Sequence, residues 1–251
     1  MISYEYPINE RTRTLLRLEN LCKRIDFFLE QDEAAAHHAA LITLFEILDV
    51  SSRADLKSDL IQELERQKQA LAQLRNNPAV SEDALDEVLA DIEKSSSGLF
   101  AMPGKIGQHL KDNEWLMNIK QRTAIPGGVC EFDLPSYHYW LNQNPEKRRD
   151  DMMLWLGPLS PIENSIAIVL RILRESGRTL RYVAQNGSFQ QILAGRTAQM
   201  LAVGLEEDLP YVPEISANKY ALNIRFVTAA IQQRPRLCES DVDFKLSFYN
   251  L

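Results

Sequence analysis

Apolar positions in the first 120 residues recur mostly at three- and four-residue intervals, the spacing of one helix face. Leu15, Leu18, Leu21 (or Cys22), Ile25 and Phe28 follow Asn9, whose side chain suits a helix N-cap. A second, Ala-rich helix is predicted from Asp32 to Leu48. A third starts at Ser51 or Ser52, carries Leu56, Leu60, Leu64, Leu71 and Leu74 on one stripe, and stops at Asn76-Asn77-Pro78. At about 1.5 Å per residue it would be about 35–40 Å long. Ser81 caps a fourth helix, whose apolar face is Leu85, Val88, Leu89 and Ile92 and whose opposite face is acidic (Glu82, Asp83, Asp86, Glu87, Asp91, Glu93). The third and fourth helices read as an antiparallel hairpin. Ser95-Ser96-Ser97-Gly98 reads as a break, after which another helix follows Pro103-Gly104 as far as Arg122.

The period then changes. Ile125-Pro126-Gly127-Gly128 reads as a turn, and the aromatics of Val129–Trp140 suit strands that Pro135 divides. Residues 147–176 return to helix, with the stripe Ile162, Ile166, Val169, Leu170, Leu173 and a stop at Gly177. Asn186-Gly187, between Thr179–Gln185 and Ser188–Leu193, predicts a hairpin. Tyr220, Leu222, Ile224 and Phe226 alternate with Lys219, Ala221, Asn223 and Arg225, and Val242, Phe244, Leu246 and Phe248 alternate again. The pattern predicts an α+β protein. A helical domain covers 1–123, with the 147–176 helix packing back on it, and an antiparallel β domain combines 124–146 with 177–251. No internal repeat is present.

Charge narrows the functional classes. There are 28 Lys and Arg against 35 Asp and Glu, a net charge of -7. That balance disfavours a sequence-independent grip on nucleic acid, which needs excess cations. The three cysteines, Cys22, Cys130 and Cys238, are far apart and form no CxxC pair, which fits a reducing cytoplasm better than a disulfide framework or a zinc site. The N-terminus lacks the apolar core of a signal peptide, and no apolar run approaches roughly 18 residues, so no membrane span is expected.

Few motifs carry chemistry. Gly98–Lys105 has five residues between its glycines and Ile106 after the lysine, so it misses the phosphate-loop pattern. His37 and His38 are adjacent on a helix and diverge, unlike the i, i+4 pair of a helical zinc site, and read as solvent-facing or interfacial. Cys130 and His138 could form a nucleophile–base pair, with Asp133 as a third member. A small buried strand cysteine explains Cys130 more simply. The acidic helix face has no EF-hand spacing and reads as solvated surface. Cations gather on the first helix (Arg11, Arg13, Arg17, Lys23, Arg24) and on the helix before the turn (Lys105, Lys111, Lys120, Arg122). They leave open either a site for an acidic partner or an ordinary solvated surface. No cofactor motif is present.

One resemblance covers nearly the whole chain. Pro7-Ile8-Asn9-Glu10, Arg13-Thr14 and Leu16-Arg17-Leu18-Glu19 open it. Leu48, Leu60 and Glu63-Leu64 follow, then Ile106-Gly107-Gln108. Its most specific block is Gln121-Arg122, Ile125-Pro126-Gly127-Gly128, Cys130, Phe132-Asp133-Leu134-Pro135, His138 and Trp140-Leu141, and Ile215-Ser216, Lys219 and Ile224-Arg225-Phe226 close it. These segments resemble the ZapD family. The resemblance implies a helical domain plus a β domain, a homodimer and no catalysis. It also implies a basic pocket for the C-terminal tail of the tubulin-like GTPase FtsZ, and bundling of FtsZ filaments at the division site of the cytoplasm. Carried over by position, it assigns Arg17, Arg122, His138 and Arg225 to the pocket. Glu114 departs from it, being acidic where some relatives are basic. Without the resemblance, a nucleic-acid-binding or other anionic-partner regulator and a Cys130/His138/Asp133 enzyme stay open.

Overall fold

Four side chains, Asn9, Ser81, Asn113 and Asn144, each open a helix by accepting one of the orphan amides of its first turn. The computed structural model describes every residue except 53, 54, 76, 79, 194–197, 219, 231 and 233. After strand β1 (Ile2–Pro7), Asn9 Oδ1 accepts the Thr12 N–H at 2.7 Å and opens α1 (Glu10–Leu29). Then come α2 (Ala34–Ser51), α3 (Leu56–Ala72) and α4 (Glu82–Ala101), the last capped by Ser81. With 17 residues, α3 is about 25 Å long, shorter than the stripe predicts. Leu71 and Leu74 do not join the core, and Asn76 lies outside the described residues. The predicted α3–α4 hairpin forms: Lys68 pairs with Glu93, and Arg75 lies 2.6 Å from Asp86, so the acidic face of α4 is partly neutralised by its neighbour.

Ser95-Ser96-Ser97-Gly98 does not end α4. Ile92, Ser95 and Leu99 form one buried helical stripe, and their packing overrides the weak helix propensity of the run. Beyond it the expected single helix is split into α5 (Gln108–Lys111) and α6 (Glu114–Thr123). Asn113 restarts the chain by accepting the Leu116 N–H at 3.1 Å. The second correction falls in 124–146. The Ile125–Gly128 turn is present, but the aromatics after it form α7 (Pro135–Leu141), not strands. Pro135 stands in the first helical turn, where its missing N–H costs nothing. Tyr137 and Trp140, at helical i, i+3 spacing, are both buried.

The predicted 147–176 helix runs through α8 (Pro145–Leu156), a 3-10 turn (Gly157–Leu159) and α9 (Ser160–Glu175), and α8 packs on α2. By length and composition alone Pro145–Glu175 could cross a membrane, a point that a search for uninterrupted apolar runs does not show. Ile162, Ile166, Val169, Leu170 and Leu173 are instead buried in the protein.

The described residues form seven strands, β1 with β2 (Arg178–Ala184), β3 (Ser188–Ile192), β4 (Met200–Leu205), β5 (Tyr211–Ala217), β6 (Ala221–Thr228) and β7 (Val242–Tyr249), of which β2, β3, β6 and β7 fall on the expected segments. They make antiparallel sheets of order β1-β4-β7-β2 and β3-β6-β5, with one shared core that includes Val203, Leu222, Ile224, Phe226, Phe244 and Leu246. Asn186 and Gly187, both at positive φ (49 and 69), form the expected tight turn. The strands flanking it nevertheless pair with different partners, β2 with β7 and β3 with β6, so the chain changes sheets there. By internal contacts the chain divides into a β unit, Met1–Leu16 with Leu170–Leu251, and a helical unit, Arg17–Val169.

Candidate functional site

Three helices of the helical unit meet in a ring cluster that fixes the orientation of α7. Trp115 of α6, Tyr137 and Trp140 of α7 and Trp155 of α8 have ring centroids 5.6–6.1 Å apart. Their polar ends are satisfied: Trp115 Nε1 donates to Ser136 Oγ at 3.0 Å and Trp140 Nε1 to Asp151 Oδ2 at 3.1 Å. The Tyr137 hydroxyl lies 2.6 Å from His38 Nδ1, and burial pushes that phenol up and that imidazole down. With one face of α7 committed inward, His138 and Tyr139 are left on the outer face.

Arg122 stands in the last turn of α6, where the loop that leads to α7 begins. Ile125 N–H donates to Arg122 O at 3.0 Å and Gly128 N–H to Ile125 O at 2.9 Å. Only glycine fits position 128, because a Cβ there would lie 2.5 Å from Arg122 O. Asp133 and Leu134 N–H both reach Cys130 O at 3.0 Å, and buried Leu134 anchors the far end. Within this frame Arg122 Nη1 lies 3.6 Å from Asp133 Oδ1, and His138 Nε2 lies 3.6 Å from Glu131 Oε2. Three large apolar side chains stand in solvent around them: Ile125 (50% exposed), Phe132 (79%) and Tyr139 (69%). The result is a surface with a guanidinium, an imidazole, two loosely held carboxylates and an apolar fringe. Such a surface suits a peptide that carries both acidic and apolar groups.

The structure therefore places Arg122 in the last turn of α6, where the sequence predicts a helix end, and His138 on α7, where it predicts a strand, each facing a carboxylate of the loop between them. Arg17 is exposed on α1 and has no carboxylate partner among the described residues. Arg225 is on β6 in the β unit, exposed, with Glu214 opposite it on β5. Lys219 lies outside the described residues. Other expected cations are engaged: Lys120 pairs with Asp49 at 2.8 Å and Arg24 with Glu46.

Cys130 is not a buried strand cysteine. It is exposed in the turn, its Sγ 3.0 Å from Gly127 O, and it makes no hydrogen bond to His138 among the described residues. Cys238 is buried in the β core, and Cys22 is half-buried. It lines a mostly apolar cavity of about 40 Å³ with Asp26 of α1 and Glu163 of α9, and burial, helped by the charges of Glu163, Asp26 and Glu19, pushes its pKa up to about 12.

The histidine pair, expected to face solvent or an interface, turns inward at His37. His37 is fully buried and accepts a hydrogen bond from Arg148 Nε at 2.9 Å. Burial and the guanidinium hold its pKa below the usual range, so it stays neutral. Arg148 (4% exposed) also donates to the carbonyls of Leu141, Gln143 and Asp32, while Arg149 donates to Leu29 O at 2.8 Å and pairs with Asp32 at 2.7 Å. Arg149 thus caps a carbonyl at the end of α1, while Arg148 caps the end of α7 and ties it to the loop after α1. Nothing in the sequence pattern marked them. Phe132 with its flanking Glu131 and Asp133 was also missed as a site element, although an aromatic between two acids before a proline was readable.

The chain matches the model of the cell division protein family ZapD over residues 16–225. The cell division protein ZapD of Dechloromonas aromatica (strain RCB) is 58% identical over all of both chains. That of Aromatoleum aromaticum is 57% identical over all of this chain and 98% of the relative. That of an Azoarcus species (strain BH72) is 55% identical over all of both. With a model match over most of its length and full-length relatives far above 30% identity, this chain belongs to the ZapD family of cell division proteins.

Proposed function

We propose that this protein is a non-enzymatic cytoplasmic division factor that acts at midcell. In this reading it binds the C-terminal tail of FtsZ and, as a homodimer, cross-links FtsZ filaments to promote assembly of the division ring. The observation that carries the reading is the Arg122/His138 surface with its apolar fringe of Ile125, Phe132 and Tyr139. A flexible tail can order against such a surface, matching carboxylates to Arg122 and apolar side chains to the fringe. Arg17 and Arg225 extend the same role to α1 and β6. Each site need bind only weakly, because a filament presents many tails and a dimer offers two sites.

Co-sedimentation tests this directly. The protein is expected to pellet with filaments of intact FtsZ and to remain in the supernatant with filaments of FtsZ lacking its tail. Equal pelleting with both would overturn tail recognition. Free tail peptide in excess should dissolve the bundles, since it fills sites without linking filaments.

A further inference from the structure

Arg122 and His138 of the candidate site already face carboxylates from their own chain. Asp133 stands 3.6 Å from Arg122, and Glu131 stands 3.6 Å from His138. Both separations exceed the roughly 2.7–2.9 Å of a charge-assisted hydrogen bond. Elsewhere in the same unit, Lys120–Asp49 closes to 2.8 Å and Arg149–Asp32 to 2.7 Å. The loop pairs are therefore attractive without being tied. Their exposure is also high, with side-chain values of 51% and 70% for His138 and Glu131. Between the two acids Phe132 projects into solvent. Glu131-Phe132-Asp133 is thus an acid–aromatic–acid segment whose carboxylates occupy the places a partner's would take.

We propose that Glu131 and Asp133 are built-in competitors that an acidic peptide must displace from Arg122 and His138, with Phe132 left free to meet the peptide's apolar side chain. The proposal rests on the reading of Arg122 and His138 as partner-binding side chains. Displacement needs only side-chain rotation. The loop backbone is held at both ends by the Arg122–Ile125, Ile125–Gly128 and Cys130–Leu134 hydrogen bonds, so it need not unfold. Competition of this kind lowers the apparent affinity by the fraction of molecules whose cations are free. Exposed pairs are weak, so each should cost about two- to fivefold. It also favours partners that bring two or more carboxylates at once, since a single one can release only one of the two contacts.

The test is fluorescence anisotropy of a labelled FtsZ C-terminal tail peptide, titrated with the full-length protein. The isosteric double variant E131Q/D133N should bind about 5- to 20-fold more tightly than the unaltered chain. D83N/E87Q removes the same charge from the exposed face of α4 and should change binding by less than about twofold. R122E should lose most binding. If E131Q/D133N binds no more tightly than D83N/E87Q while R122E loses binding, the competition is overturned and the site stands. If R122E binds like the unaltered chain, both the site and the competition fall. Thermal melts accompany each variant, and E131Q and D133N made singly serve if the pair unfolds.

Discussion

Arg148 and Arg122 are both arginines of the helical unit, but their surroundings set them to opposite work. Arg148 is buried and spreads its donors over His37 and the carbonyls of Leu141, Gln143 and Asp32. A buried guanidinium with four of its five N–H donors used has little left to offer a partner. Arg122 is half-exposed, its nearest carboxylate stands at 3.6 Å, and its neighbours include apolar side chains that water surrounds. The first arrangement lowers the energy of the fold, and the second keeps free energy in reserve for binding. A positive charge in the sequence does not distinguish them; the count of satisfied donors does.

The largest effect that sharpens this contrast is expected at the buried arginine. R148A would strand three backbone carbonyls and His37 Nδ1, and should destabilise the helical unit by about 3–5 kcal/mol. Denaturant unfolding measures it, and a change under about 1 kcal/mol would mean that water replaces the guanidinium without penalty. At the exposed arginine the order reverses. R122E should leave the melting temperature nearly unchanged but weaken tail binding by tenfold or more. R17E should weaken it less, and K68E, on the α3–α4 hairpin, hardly at all. Equal losses in all three would mean that tail binding follows net charge and not the loop.

How much of this was readable in advance depends on what decides each feature. The α1 start, the α3–α4 hairpin, the Asn186-Gly187 turn and the inward alternation of Leu222, Ile224 and Phe226 are local, and local patterns specify them. Three features depend on distant packing and were missed. Ser95–Gly98 stays helical because Ile92, Ser95 and Leu99 are buried together. Tyr137 and Trp140 form a helix because Trp115 and Trp155 supply its other half. The sheet change after Asn186-Gly187 is imposed by β6 and β7, which lie far along the chain. At the site, the family resemblance pointed to Arg122 and His138. The geometry around them, with Glu131, Asp133 and the bare Phe132, depends on the loop closing at Gly128, which no spacing rule encodes.

Between the buried clamp and the open loop lies an intermediate case, the carboxyl pair at the small cavity beside Cys22. Burial, then the charge of Asp26, raises the pKa of Glu163; burial, then Glu30, raises that of Asp26. The other titratable group lining the cavity is Cys22 on α1, while Ile47 and Ser51 of α2 and Ile106 contribute no charge. A carboxyl whose folded pKa is raised holds its proton in the native state after the unfolded chain has lost it. Its contribution to stability is complete below the unfolded value near 4 and is lost as pH rises through the folded value. Cys22 adds nothing there, since its thiol is protonated in both states until pH passes about 9. Stability of the helical unit should therefore decline as pH rises above about 4, by an increment that E163Q removes. Because both carboxyls are partly solvated, water screens most of the effect, and E163Q should raise the melting temperature at pH 7 by only about 1–2 °C. At pH 4, where the native carboxyl is protonated, the variant and the unaltered chain should melt together. Paired melting curves at the two pH values decide it. A destabilised E163Q at pH 7 would mean that Glu163 makes a favourable ionised contact, and would place it with Arg148 among the groups that hold the fold.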